Sequence, residues 1–385
     1  MNVPILSLTM FLTNWRISSI LYVHVTRTTQ KSNHNSMKYQ ISIYPAFNIF
    51  YYGFYLKGIL SCVSSRNVKY TVNNFPRLSH RCFAFQVHPT DIKYYIDAED
   101  SDEFDEQGLL WCDIYGKVNI NPQNIPEAFE KKIFALGPNF GVRVWGFLKT
   151  AIHAIRTCSL CRNDTINIQS HFYEYWRQFN ERLPLNEYKH QMSDPSYIFF
   201  LSSIWAPEDE CNQYRATFIQ IASQFKSLLF EGGFAPPTRN DVFGIEQYTI
   251  RRRYSLNEYL SKLKVSAIAF NTPAVLNCHG WKLGEYLALG KAVVSTPLTR
   301  VLPEPLVHGK HIHYVDGSPD SIHEAIYLIC NDDDYRKKLE NNAKEYFLQH
   351  LQPHCVIEKI LRFSVDVLPH RKWDFQHLTP CQGPS

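Results

Sequence analysis

VSAIAFNTPAVLNCHGWKLGEYLALGKAVVST, residues 265–296, reads as a strand, a polar loop, a short helix and a second strand. Residues 265–270 and 292–295 are brief apolar runs rich in β-branched and small side chains, the pattern of strands buried on both faces. Between them, residues 281–289 carry apolar side chains at helical spacing, and Gly290 is placed to stop the helix. A βαβ unit of this kind belongs to a parallel sheet, whose ligands gather at the carboxyl ends of the strands. The loop at 271–280 and the start of the helix therefore face the expected crevice. A helix start offers unpaired N–H groups and a partial positive charge, which suit a phosphate. Gly280 lets backbone approach a ligand closely, Lys282 adds a full positive charge, and Glu285 is placed to accept hydrogen bonds from a ribose diol.

Around this unit, length and composition set bounds. At 385 residues the chain exceeds the size at which one core usually keeps growing, so two domains are expected. A hydrophobic content of 45% with 20% charged residues excludes wholesale disorder. The formal net charge of +4 is small for this length, so no nucleic-acid partner is called for. The ten cysteines show no framework spacing, and the single C-x-x-C, Cys158 to Cys161, has no second pair to complete a four-ligand zinc site. A reducing, cytoplasmic compartment is the expectation. Residues 3–25 are apolar in patches, but Pro4, Asn14, Arg16 and the Ser18-Ser19 pair leave them short of the ~18–20 uninterrupted apolar residues a spanning helix needs. Residues 1–36 are read as an extension, either a peripheral membrane helix or an addition to the first domain.

Along the chain, strand patterns at 38–44, 68–72, 83–87 and 93–96 and a helical one at 46–63 predict a largely parallel sheet. Residues 97–106 form the densest acidic patch. Asp97 stands at a strand's carboxyl end as a candidate base, and Asp100 and Asp102, two apart, are of the type that suits a hard cation. Lys117 is expected near the same edge, after a short helix and strand at 109–121. Residues 137–143, GPNFGVR, predict a shaped loop that presents Arg143, whose planar guanidinium recognises phosphate or carboxylate. Helical patterns at 145–156 and 170–182 follow, and the proline- and charge-rich stretch 181–195 reads as an interdomain linker.

A strand at 197–201 opens the second half, followed by a helix at 209–225 and a strand at 226–230 ending in a glycine loop, Gly232-Gly233, where backbone could approach a bound nucleotide. The sequence Ser255-x-x-Glu258 is a capping box that starts a helix running into the organising unit. A strand at 311–315, helices at 321–330 and 334–350 and a closing helix at 356–367 complete the pattern.

The run from His279 to Thr296, HGWKLGEYLALGKAVVST, resembles the donor-binding segment of GT-B glycosyltransferases. The resemblance implies an α/β fold of two Rossmann-like domains facing across a cleft. Residues 37–190 would form the acceptor domain, 191–365 the nucleotide-sugar donor domain, and 366–385 a tail. It implies transfer of a sugar from a nucleotide sugar to a glycan or other hydroxyl acceptor, with the nucleotide sugar as substrate and with neither cofactor nor metal. His279, Gly280, Trp281, Lys282, Glu285, Gly232 and Gly233 would bind the donor, with Arg143 and Lys117 as further phosphate or acceptor contacts and Asp97 as the base of an inverting reaction. Retaining members carry a glutamate eight positions before the second one; Asn277 stands there in this chain and leaves the stereochemistry open. The alternatives are a GT-A-like transferase holding a metal on Asp100 and Asp102, a nucleotide-sugar epimerase, and a non-catalytic sugar- or nucleotide-binding protein.

Overall fold

The computed structural model describes residues 39–161, 167–205, 209–236 and 244–370. Contacts divide the chain into two compact units, Met1–Lys38 and Tyr39–Ser385, and the second holds all the described residues. The extension at 1–36 lies outside them. No helix among those described is long and apolar enough to cross a membrane.

The first six strands are β1 (Gln40–Ile43), β2 (Val68–Tyr70), β3 (Phe83–His88), β4 (Ile92–Asp97), β5 (Ile114–Lys117) and β6 (Ile133–Ala135), in the sheet order β2-β1-β3-β4-β5-β6. The sheet is mixed rather than the largely parallel one expected: β1–β2, β4–β5 and β5–β6 are parallel, but β3 runs antiparallel to both β1 and β4. Only residues 89–91 separate β3 from β4, too few for a crossover, so the chain must turn back as a hairpin. Helix α1 (Ile49–Cys62) starts at an Asn48 cap whose side chain accepts from the Phe50 N–H. After α2 (Glu106–Trp111), two amphipathic helices, α3 (Phe147–Leu160) and α4 (Ile168–Asn180), finish this half.

The coil at 181–195 then leads to β7 (Tyr197–Ser202), α5 (Asp209–Gln224), β8 (Leu229–Phe234), α6 (Leu256–Val265), β9 (Ile268–Asn271), α7 (Gly280–Leu289), β10 (Ala292–Ser295) and β11 (His313–Tyr314). Strands β7 and β8 pair in parallel, as do β9, β10 and β11. The Ala267 N–H donates to the Tyr197 carbonyl at 2.8 Å and ties the two sets side by side. The organising unit is the predicted βαβ, shifted at one edge: Val265 ends α6, whose Ser255–Glu258 capping box forms as expected, and the strand begins at Ile268. Gly290 closes α7 in the left-handed region, φ 63°.

Gly232 and Gly233 do not form a loop. They lie inside β8 with φ of 121° and 141°, and a Cβ on Gly232 would sit 1.8 Å from the Phe200 carbonyl oxygen. These glycines allow β8 to run tight against β7, and neither lines the cleft between α1 and α7.

Helices α8 (Pro319–Asn331) and α9 (Asp333–Tyr346) follow, and a π-turn (Phe347–Leu351) brings the chain back to α10 (Pro353–Val367). Helix α10 packs on α1 so closely that a Cβ on Gly58 would meet the Pro353 carbonyl at 2.3 Å. The Tyr94 hydroxyl of β4 donates to Ser364 Oγ of the same helix α10 at 2.8 Å. One buried core accordingly runs from Ile41 and Phe85 through Leu283 and Leu287 to Ile360.

Candidate functional site

Where the carboxyl ends of β4, β7 and β9 meet the amino ends of α1 and α7, the structure leaves a cleft of about 590 Å³. This is the edge where a parallel sheet collects its ligands, because helix starts and loop N–H groups converge there. From the first half it is lined by Tyr51, His80, Arg81, Glu99 and Asp100; from the second by Trp205, Arg215, Thr272, His279, Gly280, Trp281 and Lys282.

Helix α7 aims its first turn into the cleft. No side chain caps it, and Gly280, at φ 66°, turns the backbone out of loop 271–279. A side chain there would strain the left-handed φ, so the sequence needs glycine where backbone meets ligand.

Arg215, buried on α5, is held by the Thr272 hydroxyl at 3.0 Å and the Ser203 carbonyl at 3.2 Å. Lys282 donates to the Leu201 carbonyl. Burial, and then the positive charge of Arg215, push the Lys282 amine down to about 7, only partly opposed by Glu285. The expected full charge is therefore poised to be taken up.

His279 is buried beneath the α7 start. Its N–H donates to Asn119 Oδ1 at 3.0 Å, a bond between the two halves. Its Nε2 lies 3.3 Å from the Val301 carbonyl, which can only accept, so Nε2 carries the proton. Burial pushes the ring down to about 4, and Nδ1 is left a lone-pair acceptor without a hydrogen-bond partner. A neutral ring in this tautomer cannot donate to phosphate through Nδ1; it can accept from a hydroxyl.

Glu285 does not line the cleft. Its carboxylate accepts from the Tyr259 hydroxyl at 3.2 Å. Burial raises its pKa to about 7 against the opposing charges of Lys282 and Arg182. Arg182 itself lies 3.5 Å from the Phe50 ring centroid and 4.3 Å from that of Trp281, joining α1 to α7 behind the cleft rim.

Asp97 does not face the cleft either. It is buried, and its Oδ2 accepts from Lys117 Nζ at 2.7 Å and from the Tyr115 hydroxyl at 2.8 Å. Asp97 and Lys117 form an ion pair in the floor of the first sheet, which uses up both of them. The carboxylates that reach the cleft are the next ones along, Glu99 and Asp100. Burial raises the pKa of Glu99, with Arg81 opposing. Asp100 accepts from the Cys278 thiol at 3.3 Å, but Asp102 turns to Arg300 at 3.0 Å and to Asn121 at 2.9 Å. The D-x-D carboxylates thus serve different partners, and among the described residues no three His, Cys, Asp or Glu side chains are grouped to hold a metal. Arg143 opens onto a separate cavity, and Asn277 is exposed, with φ 59° and its carbonyl accepting from Thr299.

Sequence reasoning missed Arg81, Glu99 and Arg215 as cleft residues. Glu99 had a legible signal, since it lies two residues past Asp97 at the end of the same strand. Arg81 had none, because its loop reaches the cleft only through tertiary packing.

No family model and no curated protein matches this chain. Among solved structures it is similar to the C-terminal domain of a group 1 family glycosyl transferase from Francisella tularensis, at 16% identity over 40% of this chain and 86% of that one, with a TM-score of 0.32. It is similar to a glycosyltransferase from Rickettsia africae, at 10% identity over 71% and 70%, TM-score 0.39. It is also similar to the Anabaena protein HepE solved in complex with UDP, at 12% identity over 65% and 71%, TM-score 0.35. The first two carry by name the activity of the family that residues 279–296 resemble. Likenesses this distant carry no argument about ligand or reaction, and the chemistry of the cleft rests on its own residues.

Proposed function

We propose that the chain is a glycosyltransferase that moves a sugar from a nucleotide-sugar donor to a glycan or other hydroxyl acceptor without a metal. The observation that carries this reading is the set of charged groups the cleft brings together. The second half supplies an uncapped helix start with Arg215 and Lys282, and the first half supplies the carboxylates Glu99 and Asp100, with Arg81 beside Glu99. A departing nucleoside diphosphate needs cations and N–H dipoles already in place, and an acceptor hydroxyl needs a carboxylate within reach. In this reading the Gly280 turn, Lys282 and Arg215 hold the diphosphate. The rings of Tyr51 and Trp281 stack on the flat part of the ligand, and Glu99 takes the base role expected of Asp97. Glu285 has no assigned ribose contact; it sets the charge state of Lys282 from behind.

A thermal-shift panel of uridine, guanosine, adenosine and cytidine diphosphates, each run with and without excess chelator, tests the proposal. Stabilisation by one base, undiminished by chelator, is the expected result, and no stabilisation by any of them refutes it. A non-catalytic binding protein is the second reading, favoured by an exposed Asn277 where retaining members of the resembled family carry glutamate. It predicts the same stabilisation with no release of nucleoside diphosphate from any nucleotide sugar and acceptor.

A further inference from the structure

A second cavity, of about 800 Å³, shares no lining residue with the cleft. Four cations line it: Lys57 from α1, Arg143 from the segment before α3, Lys189 from the coil at 181–195, and Lys344 from α9. Among the described residues no acidic side chain lines it, and none of the four cations forms an ion pair. Their polar contacts are to neutral carbonyls: Arg143 to Phe179 at 3.5 Å, and Lys344 to Tyr188 at 3.3 Å and to Ala288. Trp145, Phe179 and Phe347 supply an aromatic and apolar wall beside the cations.

Cations gathered in one concavity with no counter-charge repel each other, and a bound anion relieves that repulsion. Planar guanidinium and ammonium together suit phosphate oxygens, and the aromatic wall suits an organic body attached to them. We propose that this cavity is a second binding site, for a small phosphorylated organic ligand, separate from the cleft and independent of what the cleft binds. Burial pushes the Lys344 amine down to about 8.

The position gives the site a consequence. Tyr188 and Lys189 lie on the coil that carries the chain from the first sheet to β7. Phe347 and Gln352 lie on the turn that carries it back to α10. A ligand bridging Lys189 and Lys344 to Lys57 and Arg143 clamps both passages between the two sets of strands at once, so its binding raises the melting temperature of the whole unit.

Calorimetric titration of the full-length protein with inorganic tripolyphosphate tests the proposal. Saturable binding is expected, weakened about tenfold or more in Lys57→Met/Lys189→Met and retained in Lys57→Arg/Lys189→Arg, which keeps the charges. Lys189 is exposed, so Lys189→Met alone provides the measurement should the pair fail to fold. Arg81→Met, which removes a cation from the cleft, leaves this affinity within about twofold. No binding by the wild type overturns the proposal. So does a loss confined to Arg81→Met, which would put the anion in the cleft, and so does an unchanged affinity in the lysine variants.

Discussion

Diphosphate binding in the cleft should take up a proton at Lys282. In the free protein its amine is pushed down to about 7 by burial and by Arg215, so it is half-charged near neutral pH. A diphosphate against the α7 start favours the ammonium and returns the pKa towards its ordinary ~10.4. The free form then holds fewer protons than the bound form at every pH between those values, and affinity falls as pH rises. Each unit above 7 costs about 1.4 kcal/mol, close to tenfold in Kd. Over pH 7.5 to 8.5 the ligand's own terminal phosphate, with a second pKa near ~6, is already ionised and adds no slope. Calorimetry of the nucleoside diphosphate that stabilises the protein, in buffers of differing ionisation enthalpy, should show an uptake of about 0.9 proton at pH 8 and a Kd rising about eightfold across that unit. Lys282→Met, which keeps the apolar stem, should bind more weakly at pH 7 and lose the slope. A flat wild-type profile, or the same slope in the variant, refutes the placement of the diphosphate against Lys282.

Other outcomes follow from the same geometry. Glu99→Gln should reduce kcat by about 100-fold or more while leaving nucleoside diphosphate affinity within about twofold, and steady-state kinetics with titration separates the two. Lys117→Met should cost about 3–5 kcal/mol in urea unfolding by leaving Asp97 charged and buried without its counter-cation, and Asp97→Asn added to it should recover part of that loss. Gly232→Ala should cost at least about 3 kcal/mol, because the new Cβ meets the Phe200 carbonyl from a left-handed φ. Glu285, raised to about 7 in the folded protein, keeps a proton there that the unfolded chain loses above ~4.3. Raising the pH from about 4.5 to 7 should therefore lower stability through this group, and Glu285→Gln should flatten that window in melts run at several pH values.

Much of this was legible along the chain because it depends on near neighbours. Helical spacing with Gly290 at its end placed α7, the Ser255–Glu258 box started α6, and apolar runs marked β7, β9 and β10. Together they put His279, Gly280, Trp281 and Lys282 at one edge of a parallel sheet. The direction of β3 was not legible in its apolar pattern, which reads alike for either direction; the three residues of its turn held the answer.

Which polar groups face solvent space and which face each other was settled only by tertiary packing. Asp97 and Lys117 end neighbouring strands in register, so each neutralises the other in the sheet floor, and the cleft carboxylate falls to Glu99. Glu285 lies one helical turn past Trp281, yet it turns to Tyr259 from the distant α6. Arg143 and Lys189, far apart in sequence from Lys57 and Lys344, share one cavity with them. A local pattern specifies a residue's element and face; the partner that consumes or frees its charge comes from elsewhere in the chain, through a fold only the whole sequence completes.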